Sequence, residues 1–138
     1  MRILQKSLKI ANDIFPNHYD TKGVWRPYHF AFIYKRNQLI SIGVNRPYNP
    51  DAKTLYLANK FNVQKYKKYN YAHAETDAIS KCWGKVHLNS SFSMVVLRLN
   101  KYGELGESKP CTNCQQILDA IGIKKIWWST KDGDIVNE

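Results

Sequence analysis

The eight residues FSMVVLRL (92–99) constrain the fold more than any other stretch of this chain. Alternate residues of a strand point to opposite faces, and here both faces are almost continuously apolar. Such a strand belongs at the centre of a sheet, with a covering layer on each side. A second strand-like run, KKIWWST (124–130), follows it, and between the two lies a helical stretch from Cys111 to about Ile121. Ile117, Leu118 and Ile121 mark one apolar side of that helix, and Gly122 is placed to cap its C-terminus. Upstream, YHFAFIY (28–34) and QLISIGV (38–44) flank Lys35-Arg36-Asn37 and read as a hairpin. Residues 2–14 carry Ile3, Leu4, Leu8, Ala11 and Ile14 at near-helical spacing, so a first helix is predicted that stops near Pro16. A further helix opens near His73, with Ala74, Ala78, Ile79 and Cys82 on one face and Gly84 at its end. Strands joined through helices predict a three-layer α/β sandwich.

The segment 46–72 is harder to place. It is long, polar and aromatic, starts with Pro47 and Pro50, and contains TLYLANKFNVQKY, which predicts a short helix. The loop 100–109 holds Gly103 and Gly106, and an Asp-Gly turn at 132–133 leads into a short tail.

With 138 residues the chain is expected to form a single domain over 1–138, large enough to bury a core without disulfide staples. Three cysteines make an odd count with no secreted-type framework, which points to a reducing compartment. The N-terminal MRILQKSLKIANDIF lacks the apolar core of a signal peptide, and no run reaches transmembrane length. A cytoplasmic protein without membrane contact is the expectation. The net charge of +10 favours anionic partners such as nucleotides or nucleic acid, although scattered lysines also serve solubility alone. The one dense cluster is Lys65, Lys67 and Lys68 among Tyr66, Tyr69 and Tyr71.

Two short stretches carry chemistry: AHAETDAI (72–79) and SKPCTNCQQIL (108–118). Each opens a predicted helix. Pro110 lies near the position where its fixed φ suits a helix start. Cys111 and Cys114, at i and i+3, share a side of their helix, whose N-terminal partial charge favours thiolates. Two thiolates and the His73 imidazole offer three ligands to zinc, leaving the open position expected of a catalytic centre. Glu75 stands two residues after the histidine and can reach that open position without binding the metal. A carboxylate there can take a proton from zinc-acidified water and return it to a ring nitrogen and a leaving amine. Other readings stay open at this level. A lone C-x-x-C can be a redox pair, and a closed structural zinc site could draw a fourth ligand from Cys82, His18, His29 or His87. Cys82 also reads as a small buried hydrophobe.

The pairing of His73-Ala74-Glu75 with Pro110-Cys111-Thr112-Asn113-Cys114 resembles the H-x-E…P-C-x-x-C signature of the zinc-dependent cytidine deaminase-like superfamily. ISIGVNRP ahead of AHAETDAI looks like the matching segment of tRNA adenosine deaminases and deoxycytidylate deaminases. SKPCTNCQQILDAIGIKKIWWST is similar to the deoxycytidylate type. The resemblance implies a three-layer α/β/α sandwich with a mixed central sheet and a Zn2+ cofactor. It implies His73, Cys111 and Cys114 as metal ligands, Glu75 as the catalytic proton shuttle, and Asn45 and Ala74 as substrate-binding residues. Asn45 also reads as a turn residue before Arg46-Pro47. His29 and Phe30 match a base-pocket wall loosely and read better as core. Trp127 and Trp128 must face opposite sides of their strand, so no more than one can serve a pocket.

The reaction implied is hydrolytic deamination of a cytosine-containing nucleotide, deoxycytidylate to deoxyuridylate, with release of ammonia. Nucleoside-type cytidine deaminases usually carry Cys where His73 stands. The tRNA-acting relatives generally extend further past the last strand. Both differences favour a small-molecule nucleotide. The alternative is a deaminase acting on cytosine or adenine in RNA or single-stranded DNA. A third reading keeps zinc only as a clamp in a binding protein, and Glu75 argues against it. Members of the superfamily commonly assemble, so a homo-oligomer is expected.

Overall fold

A computed structural model describes residues 2–18, 28–63, 71–100 and 102–137, the side chains of 15–18, 46–50 and 71 excepted. The order along the chain is α1 (Arg2–His18), β1 (Tyr28–Lys35), β2 (Gln38–Val44), β3 (Arg46–Pro50), α2 (Ala52–Phe61), β4 (Tyr71–Ala72), α3 (Ala74–Cys82), β5 (Phe92–Leu99), β6 (Leu105–Gly106), α4 (Thr112–Ile121), β7 (Lys125–Ser129) and β8 (Ile135–Asn137). The main sheet runs β2-β1-β5-β7-β8, with β6 added alongside β5 at Arg98 and Leu99. β1 pairs antiparallel with β2 and β5, β5 pairs parallel with β7, and β7 pairs antiparallel with β8. The sheet is therefore mixed, and FSMVVLRL lies at its centre as its composition demands.

Period-two alternation sorts the core into two layers. Phe30, Phe32 and Tyr34 of β1 and Val95, Leu97 and Leu99 of β5 pack with Ile3 and Ala11 of α1. Ala31 and Ile33 of β1 and Phe92, Met94 and Val96 of β5 pack on the other face with Leu57 of α2, Ala78 and Ile79 of α3, and Ile117 and Leu118 of α4. Helix α1 covers one side and α2, α3 and α4 cover the other, which completes the expected α/β/α sandwich. Phe30 is core, as its sequence context suggested. Trp127 and Trp128 do face opposite layers: Trp128 is buried with α4, and Trp127 borders the α1 layer. Among the described residues no helix is long and apolar enough to cross a membrane.

The structure adds detail where the sequence pattern was weak. Helix α1 runs two residues past Pro16. Helix α2 ends earlier than TLYLANKFNVQKY suggests, because Asn62 turns left-handed at φ 57° and its N–H closes on Ala58 O. Its start is set by Asp51, whose Oδ2 accepts from the Thr54 N–H (3.1 Å) and hydroxyl (2.7 Å). The proline-bearing 46–50 stretch is a strand in a separate two-stranded sheet with β4, a place that tolerates residues without a backbone donor. The tail after the Asp-Gly turn is a strand too. The Lys65, Lys67, Lys68 and Tyr66, Tyr69 cluster lies outside the described residues.

Helix α3 sits unusually close to β2. A Cβ built on Gly43 would lie 2.1 Å from Ala74 O and 2.3 Å from Ala78 N. Those are backbone atoms that cannot rotate away, so only glycine permits this approach. Gly43→Ala is expected to force α3 off the sheet and destabilise the protein by about 3 kcal/mol or more. Urea denaturation checks this; a midpoint equal to that of the unaltered protein would show that the helix has room to yield.

Candidate metal centre and active site

Two helix starts meet over one end of the sheet. His73 is the N-cap of α3, and its N–H donates to Thr76 Oγ1 at 3.0 Å. Cys111 is the N-cap of α4, and its sulfur accepts from the Cys114 N–H at 3.5 Å. Pro110 thus precedes the cap, two positions earlier than the favoured first helical position for proline, where it still fixes the entering chain.

Both helices are anchored by polar contacts. On α3, Asp77 Oδ2 accepts from the Val44 N–H (2.9 Å) and lies 3.1 Å from Lys81 Nζ, which itself donates to Ile42 O (3.0 Å). Ser41 Oγ donates to Ala78 O at 2.7 Å. Ahead of α4, buried Ser108 donates its hydroxyl to Val96 O (2.7 Å) and its N–H to Ser129 O (2.9 Å), and accepts from the Ser129 N–H (2.8 Å). Ser129 Oγ donates to Gly106 O at 2.7 Å. This knot fixes the Ser108-Lys109-Pro110 approach to Cys111 against β5 and β7.

The result is a convergent donor set. His73 Nδ1 lies 3.8 Å from Cys111 Sγ and 3.6 Å from Cys114 Sγ, and the three ligand atoms lie within 4.8 Å of one another. Tetrahedral zinc with bonds of about 2.3 Å to sulfur and about 2.05 Å to nitrogen requires N···S separations of about 3.6 Å. The spacing and the soft donors therefore fit zinc, and His73, Cys111 and Cys114 could hold it. They form the one such group among the described residues. Of the other candidate ligands, His29 lines the cavity beside this group but is not one of the donors that lie within 4.8 Å of one another. Cys82 is buried at the far end of α3 with its thiol toward Ala78 O and Ile79 O, and burial raises its pKa. His87 is exposed beside Trp83 and Lys85 at the opposite end of the helical layer. The His18 side chain lies outside the described residues. Three protein ligands among the described residues is the arrangement of an open site.

A cavity of about 320 Å³ opens on this group, lined among the described residues by His29, Asn45, Ala72, His73, Ala74, Glu75, Ser108, Lys109 and Cys111. Glu75 is 5 % exposed. Burial pushes its carboxyl above the usual carboxylate range, partly offset by a hydrogen bond from its own backbone N–H and by the neighbouring His73. Asn45 is held at the wall, its Oδ1 accepting from the His29 N–H at 3.1 Å. Of the residues singled out from sequence, His73, Ala74, Glu75, Cys111 and Asn45 all line the cavity, and Cys114 lies behind it.

His29 corrects an expectation. It shares the α3-facing side of β1 with Ala31 and Ile33, but at the strand's start it faces the cavity and not the core. Burial first, then the charges of Arg98 and His73, lowers its pKa to about 4. A histidine depressed in the folded state contributes stability that is complete above its unfolded value of 6.5. That stability is lost as pH falls toward 4. The wild type is therefore expected to lose on the order of 3 kcal/mol relative to His29→Gln across that window. Paired denaturation curves at pH 7 and pH 4 test it; parallel pH dependence in the two proteins would remove the role given to His29. Ser108 and Lys109 were not foreseen. Lys109 adjoins the P-C-x-x-C motif and could have been noticed for that, whereas Ser108 owes its place to a tertiary partner in β7 that no local pattern announces.

The family described as the cytidine and deoxycytidylate deaminase zinc-binding region matches residues 29–130. Among solved structures, the cytidine deaminase of Mycobacterium leprae is similar at 20% identity and a TM-score of 0.52, covering 94% of this chain and 87% of that one. The cytidine deaminase of Burkholderia pseudomallei is similar at 15% identity and a TM-score of 0.54, covering 95% and 88%. At such identities the likeness speaks for the fold. No curated protein sequence matches this chain significantly. Since the family match spans well over half of the 138 residues and contains all three donors that fit zinc, the chain belongs to the cytidine and deoxycytidylate deaminase family and is a zinc-dependent hydrolytic deaminase.

Proposed function

We propose that this enzyme deaminates a free cytosine nucleotide, converting deoxycytidylate to deoxyuridylate. One observation carries the reading: the imidazole and thiolates converge at a small cavity with Glu75 buried beside them. A cavity of about 320 Å³ is at the lower end of ligand pockets, which span about 300–1,000 Å³. It suits one base and its sugar.

His73, Cys111 and Cys114 would hold the zinc. When bound, zinc acts as a Lewis acid that lowers the pKa of water from 15.7 to about 7. Glu75 accepts a proton from the attacking water and delivers it to the ring nitrogen beside the amino-bearing carbon. It then takes the second proton from the newly added hydroxyl and passes it to the departing amine, so the carbon keeps a carbonyl oxygen. A C–O bond forms, the C–N bond breaks, and ammonia leaves without any change of oxidation state. A carboxyl with a raised pKa suits both halves of this transfer. The Ala74 N–H belongs to the first turn of α3, where amides have no partner within the helix, and it is assigned to a ring substituent. Asn45 is assigned to the sugar or base edge.

Zinc-loaded protein incubated with cytosine, cytidine, deoxycytidine, their monophosphates, and cytosine- or adenine-containing oligonucleotides tests the reading. Ammonia release and the mass change of amine-for-oxygen exchange report turnover. Deoxycytidylate is expected to be the best substrate, with a shallow dependence on salt. Preference for an oligonucleotide, with binding that weakens steeply with salt, would replace this reading by a nucleic-acid deaminase.

A further inference from the structure

The cavity's lining is uneven in charge and exposure. Among its described residues, Lys109 is the one lysine or arginine, and it is also the one exposed side chain. Glu75, Ala74 and Ser108 are buried. Lys109 therefore stands at the exposed edge of a cavity whose buried lining includes Glu75.

Its position is fixed from two sides. The Lys109 Nζ lies 5.4 Å from the centroid of the Trp128 ring, a cation–π arrangement. Trp128 is only 9 % exposed, so the ring is a rigid platform and not a mobile partner. The Lys109 backbone follows Ser108, whose N–H and hydroxyl are tied to Ser129 and Val96, and precedes buried Pro110. The ammonium is thus kept near the opening without being buried.

We propose that Lys109 is the specificity-determining residue that receives the substrate's 5′-phosphate, so that the enzyme selects a mononucleotide over the matching nucleoside. This rests on the proposed cytosine chemistry. If the amino end of the base must reach Glu75, the sugar and its 5′ substituent are left toward the opening. A phosphate there meets a compact ammonium on a flexible stem, a common partner for phosphoryl oxygens. Arg98, paired with His29 across β1 and β5, is the other cation near the wall, but it is not among the described residues that line the cavity. The net charge of +10 attracts anions generally, but Lys109 is where that attraction becomes positional.

Lys109→Gln and Lys109→Arg, both confirmed to carry zinc, provide the test. The measured quantity is the ratio of kcat/KM for deoxycytidylate to that for deoxycytidine. We expect a ratio well above one in the wild type. It should fall by about 10- to 100-fold in Lys109→Gln, mostly through KM for the nucleotide, and recover in large part in Lys109→Arg. A wild-type ratio near one, or a ratio unchanged by Lys109→Gln, overturns the proposal. So does a higher kcat/KM for a cytosine oligonucleotide than for deoxycytidylate. Calorimetry with zinc-loaded Glu75→Gln, with and without Lys109→Gln, separates this proposal from the reaction assigned above. If no cytosine compound releases ammonia, the assigned reaction falls. Binding still decides Lys109: deoxycytidylate held no more tightly than deoxycytidine overturns its role, and a preference lost with Lys109→Gln supports it.

Discussion

Glu75→Gln is expected to lower kcat by about 10²- to 10⁴-fold while leaving zinc stoichiometrically bound. The substitution keeps the shape of the side chain and removes only its capacity to accept and return a proton. Glu75 lies in the first turn of α3 beside His73, and it is not one of the three donors that converge. Metal content should therefore be indifferent to the change. Stability should hold or rise, because burial disfavours the charged carboxylate and the amide carries no charge to desolvate. Ammonia release, metal analysis and a thermal melt on the same preparation separate these effects. Turnover at the unaltered rate would refute the shuttle, and loss of zinc together with turnover would make Glu75 a ligand instead.

Cys114→Ser should have the larger effect on the metal. The Cys114 sulfur is buried and 3.6 Å from His73 Nδ1. A serine hydroxyl at pH 7 replaces a soft anion by a neutral, hard donor. The expected loss in zinc affinity exceeds about 100-fold, beyond the range for perturbing the outer partners of a metal site. Turnover should disappear with the metal. Because zinc binds the folded chain, it adds to stability by mass action. A chelator should therefore lower the melting temperature of the wild type and leave that of Cys114→Ser nearly unmoved. The two apolar layers around β5 should keep the variant folded, unlike a small metal domain that collapses without its ion. Retention of zinc through dialysis against chelator would contradict the ligand assignment.

How much of this was legible from residues alone follows from the range of the forces involved. The two-faced apolar run of β5, the hairpin and the helix starts are local patterns, and all stand as expected. The zinc-fitting triad was legible because helix geometry places i and i+3 together, and because His73 and Pro110-Cys111 open their helices. What escaped depends on distant partners. The strand 46–50 exists only through pairing with 71–72. The position of His29 depends on where β1 meets the cavity, and that of Ser108 on the Ser129 hydroxyl and backbone in β7. Gly43 looked like an ordinary residue in a strand, and its significance comes from the α3 backbone lying against it.

The Ser108–Ser129 knot has an evolutionary consequence. It clamps the main chain around the rim independently of the side chain at 109, which projects outward from a fixed backbone. With Lys109 assigned to the phosphate and Glu75 to the proton, mutation at 109 would retune substrate preference without dismantling the proton transfer, so paralogues built on this scaffold would diverge in diet while sharing one engine.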